Sequence, residues 1–196
     1  MVGFYSNYYL IINSINNLIG EVINSVTASV GNTLIVKNKN DNYQIFQRIH
    51  FLNFYLATIF GICLLNMTQL FIEIWLGKEY LLSMTFLILL VFYNFLKTMR
   101  FSYGVYFNAS GIWQKNIISP LLEAIFIIIF SIIFGKLFGL IGIVLGGITS
   151  NLILWCYTYP RLVYKKVLGR NFLSYFKETI GYIFLFIIIS IISYFI

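Results

Sequence analysis

The chain has 196 residues, 60% of them hydrophobic and 10% charged, with a formal net charge of +7. A soluble domain carries about 25% charged residues, so this composition, with a mean hydropathy of +0.89, excludes a soluble enzyme domain and points to an integral membrane protein. In such a protein surplus Lys and Arg report loop orientation, not nucleic-acid binding.

Crossing ~30 Å of hydrocarbon takes about 20 residues of helix. Six stretches meet that requirement, at about residues 8–30, 49–72, 82–107, 120–137, 139–159 and 179–196. Runs such as IFIIIFSIIF favour helix over the alternation of a β-barrel. The expected fold is therefore all-α, a single polytopic transmembrane domain of six helices. Met1 is followed by VGFYSNYY, without the basic start or cleavage site of a signal peptide.

The first stretch holds the least membrane-like segment, NSINNLIGEVINSVTASVGN from Asn13 to Asn32. At ~100° per residue, Asn13, Asn16, Asn17, Gly20, Glu21, Asn24, Ser25, Ala28 and Gly31 share one half of the helix. Ile15, Leu18, Ile19, Val22, Ile23, Val26 and Val30 share the other. One side suits lipid and the other a polar interior. A carboxylate such as Glu21 costs on the order of 3 kcal/mol near a bilayer centre, so a partner is expected for it.

The second stretch is apolar, with Thr58, Asn66, Gln69 and Glu73 along one side. His50, beside Arg48 at its head, is expected to snorkel at the interface. EIWLGKEYLLS at its far end suits an aromatic interfacial turn. In the third stretch Tyr93, Lys97, Arg100 and Gly104 recur at helical spacing and share a face. Lys97 lies about 21 Å along that helix from Ser83, and Glu21 about 20 Å from Tyr8, so they sit at matching depth. Lys97 and Arg100 are thus candidate partners of Glu21, or fellow lining residues of one cavity, and snorkelling of both cations to the headgroups is the simpler alternative.

Before the fourth stretch, Ser119 reads as a helix N-cap with Pro120 in the first turn. Glu123 is then placed to favour the helix dipole. The fourth and fifth stretches form a hairpin through GKLFG, and Gly139, Gly142, Gly146 and Gly147 permit close helix packing in lipid. Thr149 and Asn151 add interhelical hydrogen bonding. RLVYKKVLGR, after Tyr159 and Pro160, is a basic stretch suited to anionic headgroups. The last stretch shows only Ser190 and Ser193 as polar residues in its apolar run. Cys63 and Cys156 lie in apolar runs and read as packing residues. The sequons at Asn66 and Asn108 fall in or beside membrane segments and are discounted.

Eleven of the 13 Lys and Arg residues fall on one side of this topology. They are Lys37, Lys39 and Arg48; Lys97, Arg100 and Lys115; and Arg161, Lys165, Lys166, Arg170 and Lys177. Only Lys78 and Lys136 fall on the other. The bias places these three basic groups in the cytoplasm and both chain ends outside. A chain starting outside without a signal is expected to be a piece of a longer protein.

VGFYSNYYLI, EVINSVTASVGN, FIEIWLGKEYLL, MRFSYGVYFNASGIWQKN and FGLIGIVLGGITSN, taken in order, resemble the C-terminal half of the Wzx-type polysaccharide repeat-unit flippases. These belong to the multidrug/oligosaccharidyl-lipid/polysaccharide superfamily, related to the MATE-like transporters. The resemblance covers essentially the whole chain and rests on the order of several motifs rather than on one. It implies one lobe of a two-lobed transporter, with the N-terminal lobe and last span outside these residues. It also implies translocation of undecaprenyl-diphosphate-linked oligosaccharides from the inner to the outer leaflet of the bacterial cytoplasmic membrane, for O-antigen or capsule.

On that reading Lys97 and Arg100 would meet the diphosphate, with Tyr93 on the same face. Asn13, Asn17 and Asn24 would offer amides to sugars, and Glu21 would balance a cation between cargoes. The expected partners are the lipid-linked glycan, membrane lipids, and a second lobe or a second copy. A drug antiporter on the same architecture is the alternative, since it too carries an intramembrane acid. A glycan polymerase or acyltransferase would need a large outer loop or a His with acid partners. No nucleophile–base pair or metal cluster is evident, so no enzyme and no cofactor are expected.

Overall fold

In lipid each backbone N–H and C=O must be satisfied within the protein, and the apolar stretches here do so as helices. The computed structural model describes residues 2–112, 118–157 and 159–195. Its helices are α1 (Val2–Asn24), α2 (Thr27–Val36), α3 (Lys39–Leu76), α4 (Met84–Met99), α5 (Phe101–Ala109), α6 (Ile118–Tyr157), α7 (Tyr159–Leu162) and α8 (Phe172–Phe195). A 3-10 turn (Lys78–Tyr80) follows α3, and a π-helical turn (Val163–Leu168) follows α7. Among the described residues there is no strand. Five helical stretches are long and apolar enough to cross a membrane: Gly3–Val36, Lys39–Leu76, Met84–Ala109, Pro120–Ile153 and Leu173–Tyr194. The protein is all-α and polytopic.

The fourth of these is a hairpin. Gly139 takes φ 61°, ψ −134°, inside α6, a conformation that favours glycine. A Cβ on Gly142 would stand 1.8 Å from the Phe134 carbonyl oxygen, and one on Gly146 would stand 2.6 Å from the Ser131 nitrogen. Residues 131 and 146 would be about 22 Å apart along a straight helix, so α6 doubles back as two antiparallel arms. The two arms run through residues 118–138 and 140–157.

Three helical segments extend beyond the expected membrane stretches. The first stretch, expected at 8–30, runs through α1 and α2 from Val2 to Val36. The second, expected from 49, begins at Lys39 and is 38 residues long, about 57 Å against the ~30 Å of hydrocarbon. The sixth, expected from 179, begins at Phe172. Hydropathy marks only what lies in lipid, whereas these helices continue beyond it at the basic end. Asn38 caps α3 there, its side chain accepting from the Asp41 amide at 2.9 Å. Buried Asn42 donates to the carbonyls of Lys37 (3.0 Å) and Asn38 (3.1 Å), closing the α2–α3 turn. Ile118 already lies in α6, so Ser119 falls inside the helix and not at its N-cap position. Lys115 and Trp113 lie outside the described residues.

The bundle is pinned at both ends. At the end away from the basic turns, the Tyr8 hydroxyl donates to Gln69 (2.7 Å), Gln69 donates to the Leu82 carbonyl (2.8 Å), and the Leu82 amide donates to Tyr8 (3.0 Å). Near the basic end lies an aromatic core of Phe46, Tyr103, Tyr106, Tyr164 and Tyr175, all fully buried. His50 belongs to this core and does not snorkel. It is 1% exposed, stacks on Phe46 at 5.4 Å, and meets Ser102 Oγ through Nδ1 at 2.7 Å and the Tyr103 hydroxyl through Nε2 at 3.3 Å.

Candidate functional site

Three residues of the face predicted on the third stretch, Lys97, Arg100 and Gly104, line a groove. Tyr93 and Lys97 on α4, and Arg100 where α4 passes into α5, project side by side. The ladder tightens there, the Arg100 amide bonding to the Lys97 carbonyl at 3.1 Å. Lys97, Arg100, Phe101, Gly104 and Glu123 line a groove of about 250 Å³. Its floor is α4–α5, and the first arm of α6 supplies one wall. Tyr93 lies against the second arm, where a Cβ on Gly147 would stand 2.9 Å from its ring. Phe101 reaches the other way and rests on Gly20 of α1, where a Cβ would meet the ring at 3.6 Å. Gly20 thus connects the groove to the amide side of α1.

Arg100 and Glu123 form a two-point ion pair, Nη1–Oε1 at 2.5 Å and Nη2–Oε2 at 2.9 Å. Their side chains are 14% and 26% exposed. Lys97 places its ammonium 5.6 Å from the Tyr93 ring centroid and has no carboxylate within 4 Å among the described residues. Among the described residues, two cations and one carboxylate line the groove, a formal surplus of one positive charge. Inside a membrane, where charges interact more strongly than in water, such a pocket favours an anion.

Glu123 was expected to serve the dipole of its own helix; its partner is Arg100. Glu21 was expected near Lys97 or Arg100. It is exposed, and among the described residues the ion pairs are Arg100–Glu123 and the peripheral Lys78–Glu73 at 3.4 Å. Glu21 therefore pairs with neither cation.

The amide side of α1 divides. Asn16 turns inward, donating to the Asn94 side chain and accepting from Thr98 Oγ1 at 2.8 Å. Asn53 of α3 joins the same junction, donating to the Thr98 carbonyl at 2.9 Å. Asn13 is half-buried, and Asn17 and Asn24 are exposed. These three, with Glu21, form an outward polar stripe beside the groove and not a lining of it. The opposite side divides too, with Ile19 and Ile23 packed while Leu18 and Val22 are exposed.

A second acidic position lies near the basic end. Glu178 of α8 accepts from the Tyr43 hydroxyl and from the Tyr164 hydroxyl at 2.7 Å. Burial, and then the bond to Glu178, hold the Tyr164 hydroxyl protonated well above its ordinary range. Arg170 lies over the Tyr43 ring at 4.6 Å. This cluster ties α3, the π-helical turn and α8 together and is structural.

The chain matches no protein-family model, no curated protein and no solved structure in comparisons with each.

Proposed function

We propose that this protein is a lobe of a membrane transporter whose groove takes the diphosphate of a lipid-linked oligosaccharide. The observation that carries the reading is the meeting of Lys97, Arg100 and Glu123 in one net-positive groove on helices able to span a membrane. A diphosphate is planar-donor chemistry for a guanidinium and point-charge chemistry for an ammonium. The resemblance to polysaccharide repeat-unit flippases supplies the rest: an undecaprenyl carrier, a glycan headgroup, and movement from inner to outer leaflet of the cytoplasmic membrane.

The basic end faces the cytoplasm on this reading, and Lys97 and Arg100 lie toward it, where a cytoplasmic substrate loads. The outward stripe of Asn13, Asn17, Glu21 and Asn24 is unsuited to lipid. It faces sugar hydroxyls, together with the polar surface of a second lobe or a second copy. Deleting the gene in its source cell tests the reading. Accumulation of a polyprenyl-diphosphate glycan, measured by mass spectrometry of extracted lipids, supports it. An unchanged glycan pool with new sensitivity to a drug points instead to an antiporter.

A further inference from the structure

We infer that Glu123 is a built-in competitor for the diphosphate: carboxylate and ligand bind the same guanidinium, and loading proceeds by contact with Lys97 followed by transfer of Arg100 from Glu123 to the phosphates. The inference rests on the reading of the groove as a diphosphate site.

Three observations converge. The two carboxylate oxygens of Glu123 occupy two Arg100 nitrogens in the fork geometry that a phosphate also uses. The same groove is lined by Lys97, whose ammonium has no carboxylate within 4 Å among the described residues and stands over Tyr93. The two cations therefore differ in readiness, Arg100 holding a carboxylate in a two-point ion pair and Lys97 standing over a ring face. Glu123 sits in the first turns of the α6 arm that ends at Gly139, so the exchange alters the contact between that arm and α4–α5.

A diphosphate carries at least two negative charges where the carboxylate carries one, and it spans both cations. Exchange is favourable on charge grounds, and it gives discrimination. An anion with a single charge gains Lys97 but has little advantage over Glu123 at Arg100. The groove therefore prefers diphosphate to singly charged phosphodiesters, and Glu123 sets that preference.

The probe is inorganic pyrophosphate, titrated against the purified chain in nanodiscs of neutral phosphatidylcholine. Wild type binds it, and Lys97→Ala weakens binding about tenfold, the loss of one charge-assisted contact. Glu123→Gln keeps the shape and one hydrogen bond but removes the competing charge, and it tightens binding about tenfold. It also brings dimethyl phosphate, which carries one charge, closer to pyrophosphate in affinity. Should Glu123→Gln fold poorly, wild type serves alone: saturating pyrophosphate speeds amide hydrogen exchange in residues 120–126, as their anchor on Arg100 is released.

Wild-type binding with Glu123→Gln unchanged or weaker, or with exchange unaltered, overturns the competition while leaving the diphosphate reading intact. Absence of pyrophosphate binding to wild type and to Glu123→Gln alike overturns both. Repeating the titration in discs containing phosphatidylglycerol separates the sources of phosphate. Loss of pyrophosphate binding there assigns the groove to lipid headgroups and overturns the inference.

Discussion

Arg100 and Glu123, on different helices, close a two-point ion pair at 2.5 and 2.9 Å on the edge of a groove that also holds Lys97. A mostly buried pair broken from one side leaves an uncompensated charge, which is more damaging than loss of the pair as a whole. Arg100→Ala or Glu123→Ala alone should therefore lower unfolding free energy by about 2–4 kcal/mol. The exchanged double variant, Arg100→Glu with Glu123→Arg, should recover more than half of that. Denaturant unfolding in detergent measures the cycle. A loss in the exchanged variant as large as in the single variants would show that the pair contributes nothing as a pair.

The α6 hairpin rests on glycines that admit no side chain. A Cβ on Gly142 meets the Phe134 carbonyl at 1.8 Å, whereas one on Gly135 meets only Ile143 at 3.5 Å. Gly142→Ala should cost about 1–3 kcal/mol or more, since backbone has to move. Gly135→Ala should change stability little. Melting temperatures of the two variants compare them directly, and equal tolerance would contradict the packing described.

His50 is a packing residue held by two hydrogen bonds and a ring stack. His50→Ala should cost about 3–5 kcal/mol, in the range of other large-to-small core changes. His50→Phe keeps the stack on Phe46 and should cost less than half as much. A Phe variant as damaged as the Ala variant would place the importance in the hydrogen bonds.

Tyr164 predicts an alkaline limb of stability. Its hydroxyl is raised above the ordinary tyrosine range in the folded chain, by burial first and Glu178 second. A raised folded value means the contribution is complete below the unfolded pKa of about 10 and is lost as pH rises beyond it. Melting temperature should fall above about pH 10, and less steeply in Tyr164→Phe. Identical alkaline slopes in the two proteins would contradict the assignment.

What was legible in the sequence was set by how local the signal is. The Tyr93, Lys97, Arg100 face follows from helical spacing alone, and the structure keeps it as one face. The α6 reversal was legible because glycine clusters and the short GKLFG turn sit next to each other. The pairing of Glu123 was not legible because its partner is 23 residues away, and an acid near a helix start suggests a dipole role without any partner. His50 was misplaced for a related reason. Phe46, Ser102, Tyr103 and Tyr182 surround it from α3, α5 and α8, and no local pattern announces such a convergence. The amide stripe of α1 was legible as amphipathic, but periodicity does not tell which polar residue turns inward. Asn16 does so because Asn94 and Thr98 stand opposite it.

Lys97 and Arg100 are the groups proposed to bind a lipid diphosphate in the groove. Native mass spectrometry of the detergent-purified chain, incubated with equimolar undecaprenyl diphosphate and undecaprenol, tests this most directly. Wild type should retain the diphosphate lipid over the alcohol by at least about a hundredfold, the contribution of two charge-assisted contacts. Lys97→Ala with Arg100→Ala should erase the preference. Equal retention of the two lipids by wild type, or a preference surviving in the double variant, would contradict the account.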